Sequence, residues 1–592
     1  MSAPFVVGID LGTTHTAIAQ CLVEQGAVEN SSPLQLEPVS QLSGPSRLES
    51  LPLLPSFLYF AADGEQALAL PWDDSRDFAV GSWARDHGAS TPGRVISSAK
   101  SWLSHSGVDR RAELLPPHGA PDIEKISPVE ASFRYLDHLA ESWSQDHEEA
   151  LGDQEVILTV PASFDAGARD LTVEAAYAAG FENVFLLEEP QAALYAWLEA
   201  SGDAWREHLK VGDVILVIDI GGGTTDFSAI SVQDNDGDLG FSRIAVGDHI
   251  LLGGDNIDLA LAHTIKQKLT GFRHCVDNAA LQSLTHACRA AKERLLSENR
   301  PEQVPVALAQ RGAKLLGGVV QTDLRAEEVD NLVLNGFFPE VTLDDRPRSR
   351  ARGALTQIGL PYASDPAISK HLVQFLHQHG PDGQALTPTR VLFNGGVLKS
   401  TAIRERLLQM LGGWFPTTTI SELPSTDLDG AVARGACYYG QVRRGRGIRI
   451  RGGTGRAYYV GVESPAPAIP GIEPPVSALC VAPLGMEEGS EVALPDTELG
   501  LIVGEAVQFR FFSSTTRTEP AGTLHESVDS TDLVELAPIE ITLTADGRSE
   551  GDVVAIHLEA SITAVGTLLL EAVPTTPLQP DERWKIELSV RG

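Results

Sequence analysis

At 592 residues the chain is longer than a single hydrophobic core serves, so at least two domains are expected. Hydrophobic residues at 43% and charged residues at 21% describe globular material and exclude general disorder. Asp and Glu outnumber Lys and Arg by 80 to 45, a formal charge of −35, which argues against duplex DNA, RNA and anionic membranes as general partners.

The N-terminus, MSAPFVVGID, has no basic segment followed by a long apolar one, as a secretory signal requires. No uninterrupted apolar run reaches the ~20 residues of a membrane helix. The five cysteines (Cys21, Cys275, Cys288, Cys437 and Cys480) are scattered and show no CxxC spacing, so neither a disulfide framework nor a zinc site is expected. Buried free thiols and a cytoplasmic location follow as expectations.

Residues 1–230 alternate between strand-like and helix-like segments, the mark of an α/β layer fold. Strands are expected at Phe5–Ile9, Glu155–Val160 and Asp213–Ile218, and a helix from an N-cap at Asp165 to a terminating Gly180. Residues 24–52, rich in Pro, Ser and Gln, read as a surface loop. Residues 255–340 read as largely helical, with HACRAAKERLLSEN (His286–Asn299) the clearest case, and RPRSRARG (Arg346–Gly353) reads as a basic loop. An α/β unit returns with RVLFNGGVL, followed by helices near Thr401–Leu411 and Asp429–Arg443. After Arg443 the Gly- and Arg-rich stretch RRGRGIRIRGGTG reads as a linker. From Tyr458 onward VQFRF, IEITL and WKIELSV alternate with period two between Pro and Gly clusters, which predicts an antiparallel β-sandwich with no helical tail after it. The expected division is 1–443, a linker at 444–457, and 458–592.

One pattern carries chemistry. VVGIDLGTTHTAIA (Val6–Ala19) recurs as ILVIDIGGGTTDFSAISV (Ile215–Val232): an apolar run, Asp, an apolar residue, Gly, Thr-Thr, a second apolar run. Each copy reads as a β-hairpin with a Gly-Thr turn, and Asp10 and Asp219 occupy equivalent strand ends. Glycines in such a turn let backbone N–H groups approach an anion, and Thr hydroxyls add donors. Carboxylates repel phosphate unless a cation lies between, and Mg²⁺ commonly takes one or two carboxylates plus substrate phosphates. Two opposed hairpins would then grip a nucleotide's phosphates from both sides. Neither GxxxxGK[ST] nor a GxGxxG following a strand occurs, so P-loop and Rossmann readings have no support.

Taken in order, VVGIDLGTTHTAIA, LTVPASFDAGAR, LLEEPQAALYAW, VIDIGGGTTDFSAI and LFNGGVL resemble the DnaK-type heat-shock chaperones, within the superfamily of actin and the sugar kinases. The resemblance covers roughly residues 5–443, with gaps at 24–52 and 342–388. It implies an actin-like, duplicated ATPase domain followed by the β-sandwich. It implies ATP or ADP with Mg²⁺ (K⁺ as an optional companion), and slow hydrolysis of ATP. Gly12, Thr13 and Thr14 would form one phosphate loop; Gly221, Gly222, Gly223, Thr224 and Thr225 the other. Asp10, Asp219 and Asp226 would hold Mg²⁺ and its waters. Lys100 matches the lysine on the transferring phosphate and Glu189 the acid that places the attacking water, with Asp219 and Thr224 completing the catalytic set. Gly253, Gly254, Lys292, Gly395, Gly396 and Asp429 match the nucleoside side, and Pro161 and Arg169 the family's interdomain switch. Implied partners are an unfolded or extended apolar peptide or a dedicated client, a co-chaperone and a nucleotide-exchange factor.

The chain also departs from the family. His15 stands in the first phosphate turn where the family has other side chains. Around Lys292 the family's outer charges are reversed, Arg289 and Glu293, a spacing at which the two can pair on one helix face. Lys399 and Val397 replace an arginine and a serine, and lysine lacks the planar stacking of a guanidinium. Altered base recognition with an intact phosphate grip is therefore expected. The linker is basic rather than apolar and acidic, which puts interdomain coupling in question, and the sandwich, in which IHLEASITAVGTLLLEAV (Ile556–Val573) carries the match, is read as lidless. The competing functions are a sugar-kinase-like phosphotransferase and a nucleotide sensor with weak or no ATPase activity that binds a dedicated partner.

Overall fold

In the computed structural model, the described residues are 4–23, 33–62, 65, 68–105, 107–235, 238–270, 277–297, 299–309, 319–348, 359–425, 427–445, 447–448, 450–451, 454, 456–463, 474–486, 490–514, 517–526, 528, 532–536, 538–545, 547–563, 568–579 and 582–588. They form two compact units: one of residues 1–163, 171–240 and 245–449, the other of 164–170, 241–244 and 450–592.

The first unit is built twice on one plan. Phe5–Leu11 and His15–Leu22 form an antiparallel hairpin, flanked in parallel by Glu155–Val160 and then Asn183–Glu188. Val214–Ile220 and Thr225–Asn235 form a second hairpin, flanked in parallel by Arg390–Asn394 and then Ser421–Leu423. The central strands are almost continuously apolar because both faces are covered, as parallel sheets require: Val6, Val7 and Ile9 in one copy and Ile215, Leu216 and Ile218 in the other are fully buried. The helix Ala166–Ala178 begins where expected, the Asp165 carboxylate accepting from the Ala168 N–H at 2.7 Å, and Gly180 at φ 82° ends its run.

The closing helix, Ala431–Arg443, packs against the first hairpin and the helix Glu189–Ser201. A methyl group at Gly8 would lie 2.1 Å from the Ala433 carbonyl oxygen, and one at Gly435 1.7 Å from that of Ala192. Only glycine admits backbones this close. The Cys437 thiol donates to the Val6 carbonyl at 3.3 Å across this contact.

Three expectations are corrected. Residues 33–51 are not simply a loop: Val39–Gly44 and Arg47–Leu51 pair antiparallel, and Val39 and Leu42 are buried in spite of their polar neighbours. Residues 24–32 lie outside the described part. The stretch 255–340 is not largely helical, because after the helices Gly254–Thr270 and Asn278–Leu295 the strands Gln303–Ala309 and Val319–Arg325 pair antiparallel. Val304, Val306 and Leu308 alternate inward there, a period-two signal masked by the helical pattern upstream. VQFRF is not one strand: Ala506–Phe509 pairs with Ile539–Thr542, whereas Phe511–Ser514 joins another sheet. Residues 349–353 of the basic loop, Cys275 and much of 446–455 lie outside the described residues. Cys21, Cys288, Cys437 and Cys480 are buried thiols outside any disulfide.

The second unit is β-rich and antiparallel. One sheet runs Leu524–His525, Val476–Ala482, Ala457–Glu463, Phe511–Ser514, Val534–Glu535. Another runs Glu491–Ile502, Val553–Ile562, Leu568–Pro574, Trp584–Leu588. Alternate residues Val554, Ile556, Leu558, Ala560 and Ile562 point into a core shared with Tyr458, Leu479, Phe511, Leu570 and Trp584. Among the described residues, no helix is long and apolar enough to cross a membrane.

Candidate functional site

The two Gly-Thr turns lie against one another. A methyl group at Gly222 would lie 1.9 Å from the Thr14 hydroxyl oxygen, and one at Gly223 2.7 Å from Thr13 Cγ2. Residues 253–254 close the second turn: the Gly254 N–H donates to the Gly221 carbonyl at 3.0 Å and the Asp255 N–H to that of Gly222 at 2.7 Å. Gly395, at φ 88°, presses on the Ile220 carbonyl and Asp219 Oδ1, where an added methyl would meet them at 2.4 and 2.7 Å. Thr225 is pinned by its hydroxyl donating to the Leu252 carbonyl at 2.7 Å, while the Thr224 carbonyl accepts from the Gly221 N–H at 3.0 Å and closes the turn.

The acids hold matching register positions. Asp10 pairs across the parallel ladder with Thr159, and Asp219 with Asn394. Thr159 Oγ1 donates to Asp10 at 3.3 Å, and Asn394 Nδ2 donates to Asp219 at 2.7 Å. Asp226 accepts from the Ser163 hydroxyl at 2.5 Å and lies 3.3 Å from His249 Nδ1. Sequence reasoning assigned no role to Thr159, Asn394, Ser163 or His249. The register of the flanking strands was the available signal for the first two.

Lys100 enters from the helix Ala99–Leu103, preceded by Ser98 at φ 56°, a left-handed conformation costly for a serine and typical of functional sites. Its buried ammonium is ion-paired with Glu189. Burial opposes the Lys100 charge, but Glu189, Asp10 and Asp226 outweigh it and hold the ammonium above its ordinary pKa. Burial raises the Asp10 carboxyl to about 7 against the pull of Lys100, with Glu189 adding to the rise. Burial raises Asp219 to about 8, assisted by Glu189, Asp226 and Asp10 and opposed by the Asn394 hydrogen bond. Four acids thus share one lysine in a site lined by two buried oxygens, Thr14 Oγ1 and Asn394 Oδ1, that have no hydrogen-bond partner among the described residues. Such a donor set fits a hard divalent cation that keeps several waters. Among the described residues, no three acids, histidines or cysteines close directly on one point as a metal cage.

The nucleoside side is rewired. Arg289 does not turn to Glu293: it pairs with Asp255, and its Nε donates to Asp258 at 3.1 Å. Lys292 Nζ lies 2.7 Å from Asp258 Oδ1 and donates to the Gly254 carbonyl at 3.3 Å. Asp258 is fully buried, so it draws the nearest cations, whereas Glu293 is exposed. Burial raises the Asp255 carboxyl and Arg289 draws it back, while the two acids hold the guanidinium above its usual value against burial. Lys399 is ion-paired with Asp429. Asp429 does not cap the closing helix; the Asp427 carboxylate accepts from the Asp429 and Gly430 N–H groups at 3.2 and 3.1 Å. Gly396 begins the short turn Gly396–Lys399 that carries Lys399 and Val397, and a methyl at Gly254 would lie 3.2 Å from Val397. Pro161 follows the strand Glu155–Val160, and buried Arg169 donates through Nε to the Phe164 carbonyl at 3.3 Å.

Twin glycine–threonine hairpins, each carrying a half-buried aspartate near the end of its first strand and meeting turn to turn, define a duplicated α/β fold. Residues 116–336 match the family model described as Hsp70 protein. Chaperone protein HscA of Cronobacter sakazakii is 33% identical over 315 residues, 51% of this chain and 43% of that protein. HscA of Pectobacterium carotovorum is 30% identical over 341 residues, 55% of this chain and 46% of that protein. HscA of Salmonella agona is 33% identical over 299 residues, 48% and 41% respectively. Over these residues the chain is similar to proteins of the Hsp70 family. Its matches span less than half the length of these curated relatives.

Proposed function

We propose that the chain is an ATP-dependent chaperone of the DnaK type, with an actin-like ATPase unit in residues 1–443 and a client-binding β-sandwich in 458–592. The observation that carries the reading is the contact between the two Gly-Thr turns beside the Lys100–Glu189 pair. Gly12, Thr13 and Thr14 on one side and Gly222, Gly223 and Thr224 on the other supply N–H and hydroxyl donors to β- and γ-phosphate oxygens, while Gly221 and Thr225 hold the second turn closed through their own hydrogen bonds. Asp10, Asp219 and Asp226 would hold Mg²⁺, which when bound neutralises charge on those oxygens. Lys100 stabilises negative charge developing on the transferring phosphoryl group, and Glu189 orients the attacking water. Positioning and charge stabilisation are what this reaction asks of a protein. Lys292, Gly253, Gly254, Gly395, Gly396 and Asp429 border the nucleoside. An extended apolar client would add to the sheets of the sandwich by backbone pairing. A co-chaperone, an exchange factor and a cytoplasmic setting belong to the same reading.

The test is single-turnover hydrolysis of MgATP by the full chain, wild type beside Lys100→Ala, with and without an extended apolar peptide. The expected outcome is a loss of at least about 100-fold in the variant with MgADP binding retained, and acceleration of the wild type by peptide. Equal rates in the two proteins would refute the site assignment. One observation favours a second reading, a nucleotide sensor with a dedicated partner: Arg289 and Lys399 are both engaged by acids. Tight binding without hydrolysis in the wild type would select it.

A further inference from the structure

His15 opens the strand that leaves the first Gly-Thr turn. Its backbone is fixed. It pairs with Pro55, the Ser56 N–H donates to the Thr14 carbonyl at 2.9 Å, and the Ser56 hydroxyl donates to the Gly12 carbonyl at 2.7 Å. The imidazole is half-buried, and neither ring nitrogen has a hydrogen-bond partner among the described residues. The charged groups facing it come from four directions: Arg85 on the helix Ser82–Gly88, Arg289 on Asn278–Leu295, Lys399 on the turn Gly396–Lys399, and Asp429 ahead of the closing helix. An unpartnered imidazole therefore stands beside a turn built to receive phosphate, among three cations and one acid.

We propose that His15 is a phosphate-contacting residue that takes up a proton when a nucleotide polyphosphate enters the cleft, so that nucleotide binding is linked to pH. The inference rests on the cleft binding nucleotide, as proposed above. Without ligand, burial first and then Arg85, Arg289 and Lys399, against the opposing pull of Asp429, push the imidazole down to about 4. It is then neutral at physiological pH. The three cations already have acids of their own: Asp86 for Arg85, Asp255 and Asp258 for Arg289, and Asp429 for Lys399. A di- or triphosphate brings several negative charges into their midst. It screens the repulsion that keeps the imidazole neutral and accepts a charge-assisted hydrogen bond from it. The bound state thus holds one more proton on His15 than the free state, and binding tightens as pH falls between the two titration points.

The experiment is calorimetric titration of MgADP into the full chain at pH 6, 7 and 8, each in two buffers of different ionisation enthalpy. Wild type is compared with His15→Gln, and with His15→Asn as a second variant checked for folding by its melting transition. Protons gained or lost by Asp10, Asp219 and the nucleotide are common to all three proteins and cancel in the difference. The expected result is an excess uptake by wild type of about half a proton or more at pH 6. Its affinity should also gain, relative to the variants, up to about tenfold per pH unit lowered. Equal proton numbers and parallel affinity–pH profiles would overturn the inference while leaving the nucleotide reading intact. Failure of the wild type to bind MgADP would overturn both.

Discussion

Gly222→Ala is the sharpest probe of the contact between the two turns. The added methyl group would lie 1.9 Å from Thr14 Oγ1, 3.0 Å from Thr14 Cβ and 3.4 Å from Asp255 Oδ1. Gly222 has no positive φ, so its backbone accepts alanine and the cost is steric alone. To regain van der Waals contact the turns must part by more than about 1 Å. Overpacking of this kind costs about 1–3 kcal/mol, and because it falls on the closed arrangement it weakens nucleotide binding by about 5- to 150-fold. Calorimetry with MgADP reads this directly. Thr14→Ala removes the oxygen at 1.9 Å and leaves the methyl–Cβ approach at 3.0 Å, so the double variant should bind better than the two single losses predict. An affinity for Gly222→Ala within twofold of wild type, or strict additivity in the cycle, would refute the apposed-turn geometry.

Because Arg289 and Lys399 are held by acids, selection among purine bases is expected to be weak. ATP and GTP should compete for the cleft within about tenfold, some 1.4 kcal/mol, and a thousandfold preference for ATP would contradict the rewired pocket. Buried His138 accepts from Arg76 Nη1 at 3.2 Å through Nδ1 and donates through Nε2 to the Ser40 carbonyl at 3.1 Å, so the neutral tautomer is specified. Burial first, then Arg76, lowers its pKa from 6.5 to about 3, so the unfolded chain binds the extra proton between those values. Stability should therefore fall as pH drops from 6.5 toward 3, at up to about 1.4 kcal/mol per pH unit. Urea midpoints at pH 7 and 5 should show a flatter dependence in His138→Asn, and an identical slope would dismiss the assignment.

The site was legible largely because it is written twice. Asp10 and Asp219 stand out only when the two hairpins are superposed, and the glycines beside them are the residues at which the turns touch. Lys100 and Glu189 are distant in sequence from both turns, and resemblance supplied them where spacing was silent. The structure makes them one ion pair. What remained hidden depends on partners contributed by other strands and helices. Thr159 and Asn394 face the aspartates only through sheet register. Arg289 looked like the mate of Glu293, one helical turn away, yet a buried acid on the neighbouring helix, Asp258, competes more strongly than an exposed one on its own. The strands Gln303–Ala309 and Val319–Arg325 escaped notice because long helices precede them and the sequence between the two contains no Asn-Gly-type signal.

The closing helix bears on how the chain reaches this structure during synthesis. Val6 and Cys437 touch although 431 residues separate them. Translation at roughly 5–20 residues per second leaves on the order of 20–90 s between the emergence of the two. Throughout that interval the first hairpin presents Val6, Ala17, Ala19 and Cys21 without the helix face, Ala433 and Cys437, that covers them. A protein read as a chaperone would thus spend its own birth with an apolar sheet face open, dependent on other factors at the ribosome until its last α/β helix arrives.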